Sequence, residues 1–301
     1  IEFLEIIEKL GDKIGMGHAL LSLGNIYEVK KNIDGALSCY EESYLVCKEI
    51  GDKYAVGYAQ MGIGNIYTKV KKYTEAIEYY NLALETRIDI DDKNGIAHLY
   101  HNLAVVYEKM CDYKSSLETF NKALVLTNEL EDQYSSSATL KHTAEIHRII
   151  GNYKKSIENH HKALEIRKKI KQNDYIAESL NCLGLTYYLN NDLKASATHL
   201  KELSDLKYQD NDEYYLNKLY LALVDKREDI KIKEDKVKNI IENIENLTYE
   251  TYYFAYKLCG NKTYLNLAVN LLKETANYSN NVSKLYNYPI PSKILKLKDQ
   301  P

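Results

Sequence analysis

Apolar and small residues recur at helical spacing along most of the chain. Tyr54–Val70 shows the pattern, and Thr74–Ile90 shows it again. A short turn separates the two, Lys71-Lys72-Tyr73, with counterparts at Cys111-Asp112-Tyr113 and Gly151-Asn152-Tyr153. The helix pair itself then repeats. Tyr27, Tyr67, Tyr107, His147 and Tyr187 are spaced 40 apart, and three residues before them stand Gly24, Gly64, Ala104, Ala144 and Gly184. A second small position follows at Ala36, Ala76, Ser116, Ser156 and Ser196, then a large one at Tyr40, Tyr80, Phe120, His160 and Leu200. Ser43, Ala83, Ala123 and Ala163 continue the register until Leu203 breaks it, and Asp12, Asp52, Asp92 and Asp132 mark the linker, with Gln172 as the exception.

The alternation has a packing reason. Small side chains such as Gly64 and Ala76 lie where the two helices of a pair cross and let the backbones approach. Tyr67 and Tyr80 fill the space beside them. One helical hairpin cannot bury its own apolar face, so neighbouring hairpins stack. The expected fold is all-α, a solenoid of about five 40-residue hairpins over residues 14–204. At the front, Phe3, Leu10 and Asp12 align with Ala83, Ile90 and Asp92, so residues 1–13 read as the second half of a truncated repeat, with an upstream domain expected. Behind residue 204 the register fades. Glu213–Val224 and Lys233–Leu247 read as helices, the second apolar on one side only. Thr251–Cys259 and Thr263–Asn277 read as a degraded hairpin turning at Gly260-Asn261, with Leu265, Ala268, Leu272 and Thr275 at second-helix spacing. Residues 205–285 are therefore expected to form a helical, repeat-like cap, and 286–301 a tail with a short amphipathic piece.

Composition narrows the function classes. With 40 Lys+Arg against 43 Asp+Glu, the net charge of −3 provides no bulk attraction to nucleic acid or anionic lipid. No apolar run approaches the roughly 20 residues of a membrane span. The five cysteines are scattered singly, which argues against a disulfide scaffold or structural zinc and fits a reducing, cytoplasmic setting. Arg occurs at only four positions (87, 148, 167 and 227) in a Lys-rich chain. Phosphate loops, GxSxG and HExxH are absent, so no enzyme and no cofactor is expected. His98 and His101 share a helix face, but no third ligand stands at a recognisable spacing, so no metal site is assigned. His147 and His160 fall on aromatic core positions and read as buried substitutes.

The small-x-x-aromatic helix followed by the small–large–small helix resembles the tetratricopeptide repeat family over about residues 1–204. The usual tryptophan is replaced by Leu20, Gln60, Tyr100, Leu140 and Leu180, and the period exceeds the common 34. The longer variety is similar to kinesin light chains, the spindle-orientation adaptor of animal cells and bacterial Rap-type receptors. The resemblance implies a right-handed superhelix in which the first helix of each hairpin lines a concave groove that binds a partner peptide or helix. Its inward register then holds Asn25, Met61, Asn65, Lys69, His98, His101, Lys109, Lys141, Arg148, Asn181 and Tyr188.

Asn25 and Asn65 each offer a donor and an acceptor, suited to an extended peptide backbone, as groove asparagines do in related families; an interhelix hydrogen bond serves the same residues equally well. Lys69, Lys109, Lys141 and Arg148 place positive charge along the groove, so an acidic peptide or a C-terminal carboxylate is a fitting guest. Two other functions stay open. One is a sensor module of a larger signalling enzyme or transcription regulator. The other is self-association through exposed apolar residues such as Phe3, Leu4 and Ile7.

Overall fold

The computed structural model describes residues 11–206, 212–224, 230–245, 247–277 and 288–298. All regular structure among them is helical. The chain divides into two compact units, residues 1–131 and 132–301.

Among the described residues, the first unit holds three hairpins: α1 (Lys13–Val29) with α2 (Ile33–Ile50), α3 (Lys53–Lys69) with α4 (Tyr73–Asp89), and α5 (Lys93–Lys109) with α6 (Tyr113–Glu129). The second begins with two more, α7 (Gln133–Ile149) with α8 (Tyr153–Lys169) and α9 (Asn173–Leu189) with α10 (Leu193–Asp205). Within each unit the second helix of a hairpin packs on its own first helix and on the next one, and successive first helices also touch. The 40-residue hairpin is thus the structural repeat, as the spacing predicts.

The turns divide the period in half. A left-handed residue occurs every twenty positions: Gly11, Lys31, Gly51, Lys71, Asp91, Cys111, Glu131, Gly151, Lys171 and Asn191. Most are not glycine, at roughly 1 kcal/mol each, so the surrounding turn must hold them. It does so with paired closing bonds: Asp52 N–H donates to Cys47 O at 2.9 Å and Gly51 N–H to Lys48 O at 3.3 Å, and Lys72 and Lys71 donate likewise to Tyr67 and Thr68. The next residue caps the following helix. Asp12, Asn32, Asp52, Asp92, Asp112, Asp132, Asn152 and Asp192 each accept a backbone N–H three residues on. The recurrent aspartates therefore start helices rather than fill a linker. Gln172, the exception in sequence, makes no side-chain cap bond.

At the crossings the small positions are closed: Ala36, Ala76, Ser116, Ser156 and Ser196 are fully buried. Opposite them Tyr40, Tyr80, Phe120, His160 and Leu200 are buried as well. Ser116 and Ser196 each donate to a first-helix carbonyl, Ala104 O and Gly184 O, at 2.7 Å, whereas the buried Ser156 Oγ has no partner among the described residues.

Among the described residues, five further helices belong to the second unit: α11 (Asp212–Val224), α12 (Ile230–Glu242), α13 (Tyr249–Cys259), α14 (Lys262–Asn277) and α15 (Pro289–Lys298). α12 is apolar on one side, burying Val237, Ile240 and Ile241. It ends at Glu242 and not at Leu247. Ile244 turns into the core there, Glu245 N–H donates to Asp212 Oδ1 at 2.8 Å, and Thr248 caps α13. α13 and α14 pack as a hairpin about left-handed Gly260, burying Leu265, Ala268 and Leu272. The side chain of Thr275 lies outside the described residues. The amphipathic piece of the tail is α15, which buries Ile290, Ile294 and Leu295 and packs on α14. The half-helix expected at residues 1–10, with Phe3, Leu4 and Ile7, lies outside the described residues. No described helix is long and apolar enough to cross a membrane.

Candidate functional site

In the first unit, α1 and α3 frame a cleft of about 320 Å³. Asn25, Met61 and Asn65 line it, together with His18, Tyr54 and Tyr58, which the sequence reading did not select. Tyr54 and Tyr58 are 50% and 41% exposed, so two aromatic faces stand at the cleft. Arg87 holds them from below: its guanidinium carbon lies 4.5 Å and 4.2 Å from their ring centroids, and its Nη1 meets Asp92 Oδ2 at 2.7 Å.

The two asparagines already carry a structural bond. Tyr40 Oη donates to Asn25 Oδ1 at 2.7 Å and also lies 2.8 Å from Glu28 Oε2. Tyr80 Oη donates to Asn65 Oδ1 at 2.8 Å, and Asn102 Nδ2 reaches the same oxygen at 3.3 Å. Each amide oxygen therefore accepts a bond across helices, and Asn65 Oδ1 accepts two. The repeats explain one another here. Gly24-Asn25 faces Tyr40 and Gly64-Asn65 faces Tyr80, whereas Ala104-Val105 faces Phe120, which has no hydroxyl to anchor. A Cβ at Gly64 would lie 2.6 Å from Tyr80 Cε1, and one at Gly24 2.6 Å from Tyr40 Cε1. Glycine, asparagine and tyrosine thus form one packing unit, with burial pushing the Tyr80 hydroxyl up to about 12.

The positive charges are distributed differently from the simple groove picture. Lys69 Nζ pairs with Glu28 Oε1 at 2.7 Å, from α3 to α1. His98 and Lys109 are exposed on α5, while half-buried His101 lies edge-on to Phe120 at 5.4 Å.

In the second unit two of the predicted residues, Arg148 and Tyr188, meet the chain's own C-terminal helices. Arg148 is 7% exposed, and its Nη1 stands 2.8 Å from both carboxylate oxygens of Glu250 at the start of α13. Tyr188 lies edge-on to Phe254 at 6.3 Å, with Lys257 Nζ 5.9 Å from its ring. Asn181 is buried. Lys141 reaches Glu178 at 3.1 Å and Glu145 at 3.5 Å, and Arg167 also meets Glu178, at 3.0 Å. Arg148 and Lys141 thus have partners within the chain, and an acidic residue of this protein already occupies Arg148.

Burial alone would raise the Glu145 carboxyl, but Lys141, His142 and Arg148 draw it down to about 2, so it stays ionised. His160 beside this group is pushed down to about 3, first by burial, then by the positive neighbours Arg148, Lys141 and Arg167 against an opposing Glu145. Glu145, Glu178 and Glu250 form a network with the three cations Lys141, Arg148 and Arg167. The sequence reading missed Glu250, Glu178 and Arg167. The one signal available was arginine itself: three of the four, Arg87, Arg148 and Arg167, are buried, where a planar guanidinium can share several acceptors as an ammonium cannot.

Stacked helical hairpins with small–large crossings define a class, the helical-repeat proteins. The tetratricopeptide repeat model matches residues 15–85, 56–129 and 135–209, and the chain belongs to that family. Its repeats generally mediate protein–protein interaction. No curated protein is significantly similar in sequence. Solved structures share the fold. The apo form of RapI aligns over 94% of this chain and 80% of its own, at 15% identity and a TM-score of 0.72. A signal-transduction ATPase with a tetratricopeptide repeat sensor from Pyrococcus horikoshii aligns at 17% identity and a TM-score of 0.69; it covers 80% of this chain, which spans 38% of the ATPase. The apo form of the quorum sensor NprR from B. thuringiensis covers 98% of this chain and 79% of its own, at 18% identity and a TM-score of 0.62.

Proposed function

We propose that the chain is a non-enzymatic interaction module that takes up an extended peptide segment of a partner protein along the first-helix face of its first unit. The observation that carries this reading is the cleft between α1 and α3, where the exposed rings of Tyr54 and Tyr58 stand beside Met61 and the amides of Asn25 and Asn65. Aromatic faces supply contact area at little entropy cost, and side-chain amides bind a peptide backbone. His98, His101 and Lys109 extend the face along α5. Exposed Lys109 favours an acidic residue in the guest. The five cysteines, scattered singly along the chain, fit a cytoplasmic setting.

The test uses acidic and neutral peptide libraries selected on the intact chain, then titrated against Asn65→Asp with Lys109→Glu. Aspartate keeps an acceptor for Tyr80 but removes the amide donor, so the fold is retained where alanine would orphan the hydroxyl. Affinity should fall about tenfold or more with an unchanged thermal midpoint. Selected peptides that bind the variant equally well, or no enriched peptide at all, would refute the reading.

A second reading is that the chain senses a ligand for a larger regulatory protein. It is favoured by the likeness to structures described as a repeat sensor and a quorum sensor. In that case selected peptides should alter the contacts of α13 with α7, read as a change in amide exchange around Glu250.

A further inference from the structure

We infer that the guest of the first-unit cleft is a proline-rich segment in the polyproline II conformation, held by the two tyrosine rings and the two asparagine amides. The inference rests on the peptide reading of the same cleft and adds the class of sequence that fits it.

Hydrogen bonding supplies the first argument. Tyr40 holds Asn25 Oδ1 at 2.7 Å, while Tyr80 and Asn102 together hold Asn65 Oδ1 at 2.8 and 3.3 Å. Neither amide nitrogen donates within the chain among the described residues. Asn25 is exposed and Asn65 half-buried. The amides therefore offer a guest N–H groups and little to accept with. An extended strand would bring N–H groups of its own, and each one desolvated without an acceptor weakens binding. Proline carries a carbonyl and no N–H. The polyproline II backbone makes no internal hydrogen bonds, so those carbonyls are free to accept.

Charge complementarity points the same way. The ions about the cleft are already paired: His18 Nε2 with Asp52 Oδ2 at 3.1 Å, Lys69 with Glu28 at 2.7 Å and Arg87 with Asp92 at 2.7 Å. A charged side chain seated between the rings would lack a counter-ion, whereas a run of prolines needs none. The acidic residue favoured by Lys109 belongs to the part of the guest that lies along α5.

The rings supply the seat. Tyr54 and Tyr58 meet at 68° with centroids 5.0 Å apart and hydroxyls 3.3 Å apart. Arg87, itself 2% exposed, fixes both from behind, so little freedom remains to be lost on binding. A polyproline II helix turns a flat, apolar ring to the same side every three residues, about 9 Å, and aromatic-lined grooves take such rings. The second unit sets the contrast. Tyr134 and Tyr175 are also exposed, with hydroxyls 3.1 Å apart and the Arg167 guanidinium 5.2 Å from the Tyr175 centroid. The positions matching Asn25 and Asn65 hold Glu145 and Leu185 there, so those rings come without amide donors.

The test is calorimetric titration of the full chain with acetyl-hexaproline amide. Beside it runs a neutral, extended peptide of equal length, alternating Gln and Thr, with an N–H at every residue. Hexaproline should bind saturably at millimolar concentration or below, and the Gln-Thr peptide about tenfold or more weaker. Tyr54→Leu and, separately, Asn65→Asp should each weaken hexaproline about tenfold with an unchanged thermal midpoint, while Tyr134→Leu should leave its binding as it was. No saturable binding of hexaproline, equal binding of the two peptides, or an equal loss through Tyr134→Leu would overturn the inference. Proline-free peptides enriched in the library selection and weakened by Asn65→Asp would overturn it too, and would leave the peptide reading standing.

Discussion

Gly64→Ala is the sharpest probe of how this repeat is assembled. The substitution should improve the helix by about 0.5–1 kcal/mol, because alanine restricts the unfolded chain. The structure opposes that gain. The new Cβ would lie 2.6 Å from Tyr80 Cε1 and 2.7 Å from Cδ1, and the ring cannot swing aside while its hydroxyl is held by Asn65 Oδ1 at 2.8 Å. Overpacking of this kind costs about 1–3 kcal/mol, so a net loss of about 1 kcal/mol or more is expected. In the third hairpin the chain shows the alternative: Ala104, Val105 and Phe120 occupy the same three positions, and both Ala104 and Phe120 are fully buried. Transplanting two members, Asn65→Val with Tyr80→Phe, frees the ring from its anchor. On that background Gly64→Ala should cost nothing measurable or should stabilise. Urea unfolding followed by circular dichroism measures all four corners of the cycle. A coupling of about 1 kcal/mol or more is expected, against about 0.5 kcal/mol for independent sites. An equal cost on both backgrounds would refute the idea that glycine, asparagine and tyrosine act as one unit.

Three other substitutions probe buried polar groups. His160 is held neutral far below its usual 6.5, at about 3, so the unfolded chain binds a proton that the folded chain refuses, and stability should fall as pH drops from about 6.5 towards 3. His160→Phe, which copies the Ala104–Phe120 pairing opposite Ala144, should flatten the acid side of a pH–stability profile in that window; an unchanged slope would refute the assignment. Ser156→Ala should leave stability unchanged or raise it by up to about 1 kcal/mol, because its buried hydroxyl has no partner among the described residues. Ser116→Ala, which breaks the 2.7 Å bond to Ala104 O, should instead cost about 1 kcal/mol. Thermal unfolding of the two variants side by side checks the contrast.

How much of this was legible before any coordinates depended on whether a feature is local. The helix pairs, their turns and the small–large crossings depend on residues within one period, and five copies of that period make the pattern self-checking. The asparagines were visible but ambiguous, because an amide suits a guest backbone and an interhelix bond alike; only the position of Tyr40 and Tyr80 assigned their oxygens. Tyr54 and Tyr58 were passed over because their exposure depends on how α1 and α3 meet. Arg148 read as groove charge because nothing in the repeat announces Glu250, which lies 102 residues further on.

Sequence alone thus determined the all-helical hairpin repeat, since helical periodicity and the volume of side chains at a crossing are written into each short segment. Tertiary structure decided which charges are spent inside the protein and which stay exposed. Pairing across a hundred residues obeys the spatial meeting of helices, and no spacing rule encodes that.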